Sequence, residues 1–458
     1  MRNIPFYRKY YSIIEGRKLF IIAKRFQVKN KLVKMHYVSI ILVSISIVIF
    51  ILFVPISYTM IGVWLSEVGL FFMVIPLSLI ITSIVRLAFY IQTKTFSGDF
   101  YSLLVIVLIN IFTIVRLLIP FFYLQATNKQ SQENMKRYLG ENYLAEIEED
   151  IEVKYFKKVR FNLFSYYMEI RKKQESKITI KKNIEYTKKK KAKFGYLNAY
   201  IPKKNGKFPA IIFLHGGGWI LGSKDYITHE RIGKLLANLG YSVFNINYQL
   251  IPINSLLKNR SILKHKPEMN EMVQDLTKAI QFVKDNSIQY KVHPEKIFLF
   301  GRSAGGHLVL LTSFLRQEKD ILGVVGLYPV TELKGMYHFF EQKHKITFEV
   351  IDQLTKEKEK MNEFHKLFSP IEYVTEDNKE NIPPIFLATG LRDHLVNPEQ
   401  SEKLFTKLQE FGLTSVLLKL PWANHTFDVI INGPGGQLVF KYLSQFLAWV
   451  LSTKKKSS

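Results

Sequence analysis

Gly301-Arg302-Ser303-Ala304-Gly305 is the stretch that decides how this 458-residue chain folds. Lys296-Ile297-Phe298-Leu299-Phe300 runs into it as a short apolar strand pattern. Ala304 to Leu315 leaves it as a helix pattern with Leu308, Leu311 and Leu315 on one face. A strand that turns sharply into a helix at a serine holds the hydroxyl clear of the sheet. Glycines two residues to each side, Gly301 and Gly305, let the flanking backbones approach. A bare G-x-S-x-G match is weak, because glycine and serine are common loop residues. The strand before it and the helix after it make the stretch a nucleophile elbow, with the Ala304 amide as one oxyanion donor.

A second, independent motif lies upstream. Pro209-Ala210-Ile211-Ile212-Phe213-Leu214 is another apolar strand pattern, and His215-Gly216-Gly217-Gly218-Trp219 follows it directly. Side-chain-free amides in such a run can face a developing oxyanion, and Gly216 and Gly217 are the expected donors. A flexible loop without a role is the bland alternative. The independence of the two motifs weighs against it.

A nucleophilic serine needs a base, and the base needs an orienting carboxylate. Chain order in such folds runs Ser, then Asp or Glu, then His. Pro384 to Gly390 reads as a strand with Asp393 just past its end, and Ser415 to Leu420 as a strand with His425 just past its end. These are the positions at which open parallel sheets build sites. The expected catalytic set is Ser303, Asp393 and His425, with His215, Gly218, Trp219, Gly301 and Gly305 as the supporting motif. His394 competes geometrically with Asp393 and is assigned a surface or supporting role. His307 is expected to pack near the site, and Asp352 and Asp377 to be solvated. Thr331–Phe368 interrupts the strand–helix alternation and reads as a helical cap. Its Tyr337, Phe339 and Phe340 either line an acyl pocket or pack the cap down.

These residues resemble the hormone-sensitive-lipase-like and BD-FAE-type esterases of the α/β-hydrolase superfamily. The resemblance runs over roughly residues 190–452. It rests on His215 to Trp219 with Gly222, Asn247-Tyr248 through Pro252, Asp275, His293 to Ile297, Gly301 to Gly306, Ser369-Pro370, Asp393 to Pro398, and His425. It implies an α/β-hydrolase fold, a mostly parallel central sheet flanked by helices with a small helical cap. It also implies carboxylic-ester hydrolysis by Ser303, Asp393 and His425, with Gly216, Gly217 and Ala304 as oxyanion hole and neither metal nor organic cofactor. A similar glycine loop occurs in membrane-bound methylesterases that act on prenylated cysteine. Two departures leave the substrate open. Gln249 stands where the family usually has Arg, and Ile253–Asn270 is longer and more basic than usual.

The front of the chain is a different kind of sequence. Tyr37–Met60, Val68–Tyr90 and Phe100–Leu124 are apolar and long enough to span a bilayer, which takes about 20 residues. Arg86 and Arg116 stand towards the C-terminal ends of the second and third, where they can snorkel. Residues 1–36 hold ten Lys or Arg and only Glu15 as an acid, a positive-inside flank with amphipathic character. Counting three spans from a cytoplasmic N-terminus puts the hydrolase outside. The basic stretch 154–193 opposes that topology, but long soluble domains translocate largely regardless of charge.

The expected organisation is therefore a basic segment 1–36, a membrane domain 37–124 of three transmembrane helices, a charged linker 125–190, a hydrolase 191–452 and a basic tail 453–458. The catalytic part, ~260 residues, is enough for one large core. A multi-pass protein of a bacterial cell membrane is expected, on the strength of a Lys-, Ile- and Asn-rich composition. The net charge of +26 flanks the spans and comes with no nucleic-acid motif, so membrane lipid is the expected charged partner rather than nucleic acid. The absence of cysteine excludes disulfides, thiol catalysis and Cys-type metal sites. The expected substrate is a small-molecule or lipid ester. The oligomeric state has no signature. A peptidase or thioesterase on the same residues, or a non-catalytic membrane receptor or scaffold that kept the fold, are the alternatives.

Overall fold

The computed structural model describes residues 37–48, 73–94, 98–151, 177–189, 194–251, 266–316, 321–344 and 358–457. The chain divides into two compact units. The first comprises Met1–Leu65 and Gly69–Leu118; the second comprises Ser66–Val68 and Ile119–Ser458.

In the first unit the described residues form helix α1 (Tyr37–Val48), helix α2 (Val74–Gln92) and the start of helix α3 (Gly98–Leu139). Leu42, Leu79, Leu87, Tyr90, Leu103 and Ile106 pack together, and the Asn110 amide donates to Ser46 Oγ at 3.0 Å. The outward faces stay apolar: Ile81, Ile84, Val85, Val105 and Leu108 are exposed. Among the described residues, α2 and α3 are the two helices long and apolar enough to cross a membrane. The expectation of three such helices is thus corrected to two. Of the first expected span only Tyr37–Val48 is described, as a helix, and residues 49–60 lie outside the described residues. The expected third span is also exceeded, because α3 continues past Leu124 to Leu139, roughly 63 Å at the α-helical rise.

In the second unit, eight strands form one sheet in the order β1-β2-β4-β3-β5-β6-β7-β8. They are β1 (Ile178–Glu185), β2 (Tyr196–Pro202), β3 (Phe208–Leu214), β4 (Ser242–Ile246), β5 (Val292–Arg302), β6 (Ile321–Leu327), β7 (Ile385–Gly390) and β8 (Ser415–Leu420). β2 pairs antiparallel with β1 and β4; from β3 onward the pairing is parallel. Strands covered on both faces need continuous apolar runs, and β3, β4, β6 and β7 are buried along their whole length. β1 is the edge. Its charged residues face outward, and a bulge falls at Asn183, which adopts φ 56°. The sheet therefore opens ahead of residue 191, at Ile178.

The helices after α3 are two short ones, α4 (Tyr143–Glu146) and α5 (Glu149–Ile151), then α6 (Ile227–Leu239), α7 (Lys266–Asp285), α8 (Ala304–Leu315), α9 (Leu333–His344), α10 (Lys358–Phe368), α11 (Glu399–Glu410) and α12 (Pro434–Ser457). One face of the sheet is covered by α7, α8 and α11, where Met272, Leu276, Leu308, Leu311, Leu404 and Leu408 are buried. The other is covered by α6 and α12. α8 is apolar all round and correspondingly buried, which makes it the central helix of its layer.

The charged stretch after the apolar helices is built into this unit. Asn134 donates to the Leu417 carbonyl at 3.3 Å, Tyr143 OH to Gln445 at 2.6 Å and the Trp449 indole to Glu146 at 3.0 Å. The lysine-rich and aromatic stretch 152–176 lies outside the described residues, as do most of the insertion 253–270 and the middle of the cap, 345–357. The described ends of the cap are α9 and α10. Phe339 is half-buried, and the side chains of Tyr337 and Phe340 lie outside the description.

Candidate functional site

The site lies at the C-terminal ends of the parallel strands. β5 ends at Arg302, and Ser303 turns the chain into α8 with φ 52° and ψ −121°. That is a costly conformation for a residue with a Cβ, and the surroundings over-determine it. The Ser303 amide donates to the Leu327 carbonyl at 2.9 Å and its carbonyl accepts from the His307 amide at 2.9 Å. The glycines are required by contact. A Cβ on Gly305 would lie 2.4 Å from the Leu214 carbonyl oxygen and 2.5 Å from that of His215. A Cβ on Gly301 would lie 2.1 Å from the Gly305 carbonyl oxygen. The elbow can therefore press against the end of β3 only as it is written.

Ser303 is partly exposed, and two side chains from distant loops meet it. His425 Nε2 lies 2.9 Å from Ser303 Oγ, and His425 Nδ1 lies 2.6 Å from Asp393 Oδ2. Asp393 follows β7 and is itself fixed, since its Oδ1 accepts the amides of Leu395 at 2.8 Å and Val396 at 2.9 Å. Both Asp393 and His425 are buried. Asn424 Oδ1 accepts the His425 amide at 2.7 Å and the His394 amide at 3.3 Å, which ties the two loops together. The geometry suits a proton on Nδ1 facing the carboxylate and a free Nε2 facing the hydroxyl. His394 is half-buried beside this relay and Asp377 is exposed; Asp352 lies outside the described residues.

The glycine loop runs alongside. A Cβ on Gly216 would lie 3.1 Å from Ser303 Cβ and 3.0 Å from the Arg302 carbonyl oxygen. Gly217 has φ 130°, Gly218 φ 58° and Trp219 φ 64°, and Leu221 N donates back to the Gly217 carbonyl at 2.9 Å. Ala304 opens α8, where backbone amides have no partner a turn earlier. His215 points inward. Its ring stacks on Tyr248 at 4.4 Å, and Tyr248 OH donates to the His215 carbonyl at 2.9 Å. The far end of the loop is fastened by buried Lys224, which donates to Asn183 at 2.7 Å and to Asp225 at 2.8 Å.

Several site-bearing residues escape the sequence pattern. Trp219 Nε1 donates to His307 Nδ1 at 3.2 Å, and His307 Nε2 donates to the Phe368 carbonyl at 2.7 Å. One buried histidine thus joins the glycine loop, the elbow helix and the cap. Burial pushes its pKa down to about 4. Arg302, Tyr328 and Asp428 form a second buried group behind Ser303 and His425. At the departure noted in the sequence, the Gln249 amide donates to Asp275 Oδ2 at 2.8 Å, and Lys189 pairs with Asp275 Oδ1 at 2.7 Å. The lysine run, and not residue 249, supplies the cation for that buried carboxylate. Arg302 and Asp428 stand within a few residues of the quoted motifs. Nothing in a linear pattern joins residues so far apart. No group of three metal-ligating side chains occurs among the described residues.

A sheet of this order, a positive-φ serine between β5 and α8, and an aspartate and histidine beyond β7 and β8 are the arrangement of an α/β-hydrolase fold. Residues 197–408 match the BD-FAE family model. It is 26% identical over 255 residues to a probable isoprenylcysteine alpha-carbonyl methylesterase of Oryza sativa subsp. japonica, covering 52% of this chain and 55% of the relative. It is 23% identical over 267 residues to the probable carboxylic ester hydrolase LipM of Mycobacterium tuberculosis, covering 55% and 57%. It is 27% identical over 243 residues to an arylesterase of Saccharolobus solfataricus, covering 50% and 72%. The chain spans about half the length of the plant methylesterases it matches. Among solved structures, esterase B of Lactobacillus rhamnosis aligns over 69% of this chain and 96% of its own, with 18% identity and a TM-score of 0.48.

Proposed function

We propose that this chain is a membrane-anchored serine hydrolase that cleaves carboxylic esters through an acyl-enzyme. The observation that carries this reading is the unbroken relay from Ser303 Oγ through His425 to Asp393, set against the glycine loop. Ser303 Oγ attacks the ester carbonyl as His425 Nε2 takes its proton. Asp393 holds the imidazole and stabilises its charged form. The amides of Gly216, Gly217 and Ala304 receive the oxyanion. His425 then returns the proton to the leaving alkoxide, the alcohol departs, and water activated by the same nitrogen releases the acid.

A lipid-like ester is the substrate class we favour. Leu221, Tyr226 and Ile227, in the segment that leaves the glycine loop, are all more than half exposed. The related plant proteins are named as methylesterases of isoprenylated cysteine, an ester beside a lipid chain. α2 and α3 supply the length and apolar surface for anchoring.

Hydrolysis of p-nitrophenyl esters of graded acyl length by wild type and Ser303→Ala tests the chemistry. Turnover that requires Ser303, with preference for longer acyl chains, is expected. Folded protein that turns over no ester and takes no fluorophosphonate label would overturn the reading. The chain has no cysteine, so Asn205→Cys reports the membrane face directly. Labelling by a membrane-impermeant maleimide in intact cells puts the hydrolase outside, and labelling only after lysis puts it inside.

A further inference from the structure

The residue before Ser303 and the residue three beyond His425 are joined in the interior. Arg302 Nη2 donates to Asp428 Oδ1 at 2.8 Å, and Arg302 Nε lies 2.7 Å from Asp428 Oδ2. Arg302 Nε also donates to Tyr328 OH at 2.7 Å, and that hydroxyl donates to Asp428 Oδ1. The three side chains have 5% exposure or less. Tyr328 directly follows β6 in a left-handed conformation, φ 40°, held by its amide to the Ala388 carbonyl at 2.7 Å. Its ring lies 4.4 Å from the His425 ring, tilted by 57°.

Burying an ion pair gains little stability over apolar side chains of the same volume, so its presence calls for a reason other than stability. Position supplies one. Arg302 can move only with Ser303, and Asp428 only with the loop that carries His425. We propose that Arg302, Tyr328 and Asp428 form a positioning unit that clamps the nucleophile elbow to the histidine loop and balances the charge around the imidazole. This inference rests on the roles given above to Ser303 and His425.

The charge balance follows from what surrounds His425. Ser303 faces it from the elbow, Asp393 from the β7 loop and Tyr328 from the end of β6. Asp428 follows on its own loop, with Arg302 behind Tyr328 and His394 beside Asp393. Burial alone would lower the Arg302 pKa, but Asp428 and Tyr328 more than offset this and hold the guanidinium charged. That charge reaches a neighbouring histidine: His229 is pushed well below the usual range, by burial first and by Arg302 next. With Asp428 in place the cation is neutralised where an imidazolium must form. Without it the cation stands unopposed near the developing positive charge.

The test measures kcat, KM and the pH profile of kcat/KM on p-nitrophenyl butyrate with the full chain in detergent. Asp428→Asn should lower kcat roughly 100-fold with KM within about threefold, the scale of a misplaced catalytic group. It should also move the acidic limb to lower pH, because an unopposed cation disfavours the imidazolium. Arg302→Met leaves the carboxylate unopposed and should move the limb to higher pH. Arg302→Lys should recover part of kcat and the wild-type limb. Tyr328→Phe changes no charge and should lower kcat with the limb unmoved, and with Arg302→Lys it decides the matter where the charge-removing variants do not fold. Limbs that stay put or move the same way in both charge variants, or a Tyr328→Phe kcat equal to wild type, would overturn the proposal. Ser303→Ala in the same assay separates the two readings. Residual turnover equal to wild type there removes the nucleophile itself, whereas Ser303-dependent turnover with unchanged Asp428 and Tyr328 variants removes only the clamp.

Discussion

His307 makes a thermodynamic prediction that can be worked from the structure. It is fully buried, accepts from the Trp219 indole on Nδ1 and donates to the Phe368 carbonyl through Nε2. The bond from Trp219 requires the neutral ring, because only an unprotonated Nδ1 accepts. Burial lowers its pKa from 6.5 to about 4 in the folded state. The unfolded chain therefore takes up a proton near pH 6.5 while the folded chain resists it until about pH 4. The stability that depends on the neutral ring is fully present above pH 6.5, falls as pH drops towards 4 and is constant below. Between pH 7 and pH 5 the two values give a loss of about 2 kcal/mol. Urea unfolding of the full chain in detergent, followed at both pH values, measures it. Other buried histidines shift in the same direction, so the quantity of interest is the difference from His307→Gln. That variant keeps an acceptor and a donor but no titration. Wild type should lose about 2 kcal/mol more than the variant over this interval. Equal losses would refute the argument that burial keeps His307 neutral where it joins the glycine loop to the cap.

Two further outcomes follow from contacts. Gly305→Ala puts a methyl group 2.4 Å from the Leu214 carbonyl oxygen, and neither backbone can yield without moving the elbow from the glycine loop. Its kcat on p-nitrophenyl butyrate should fall at least 100-fold, by roughly the cost of a 1 Å misplacement, with stability down by about 2 kcal/mol in a thermal melt. Lys189→Met leaves the buried Asp275 carboxylate with the Gln249 amide and the weaker field of Lys278, since burial already raises its pKa and Lys189 opposes that rise. Thermal unfolding should show a loss of about 2 kcal/mol, less than for a fully enclosed pair because Lys189 is partly exposed, and Lys189→Met with Asp275→Leu should recover most of it.

The parallel sheet was legible because strands buried on both faces must be apolar throughout. The runs Ile211–Leu214, Ile297–Phe300, Val324–Leu327, Ile385–Ala388 and Val416–Leu418 each form a strand. The meeting of Ser303, Asp393 and His425 was legible for a related reason. Each stands just past such a strand, and parallel strands deliver their C-terminal ends to one edge. The apolar front of the chain was less so. Hydropathy alone does not say where a helix stops, and α3 runs on from apolar into charged sequence without a break at Leu124. What pattern could not supply is pairing across long separations. Arg302 reads as the variable position of a motif, Asp428 as a loop acid, Lys189 as one of a run and His307 as a polar residue in an apolar helix. Each acquires meaning only from a partner that the fold brings to it.

Those partners have a common logic. In the elbow and the glycine loop, function requires backbone conformations that side chains resist, at Ser303, Gly217 and Trp219. Conformations of that kind persist only when neighbours on several elements hold them. Each unforeseen polar contact does so. His307 holds Trp219, Arg302 beside Ser303 bonds to Asp428 on the histidine loop, and Lys224 closes the far end of the glycine loop. They cost desolvation that apolar residues would not, so a sequence selected for stability alone would have discarded them. Their concentration within a few residues of one serine is the physical reason to place the chemistry there. It is also why substitutions at these supports should act on kcat at positions that touch no substrate.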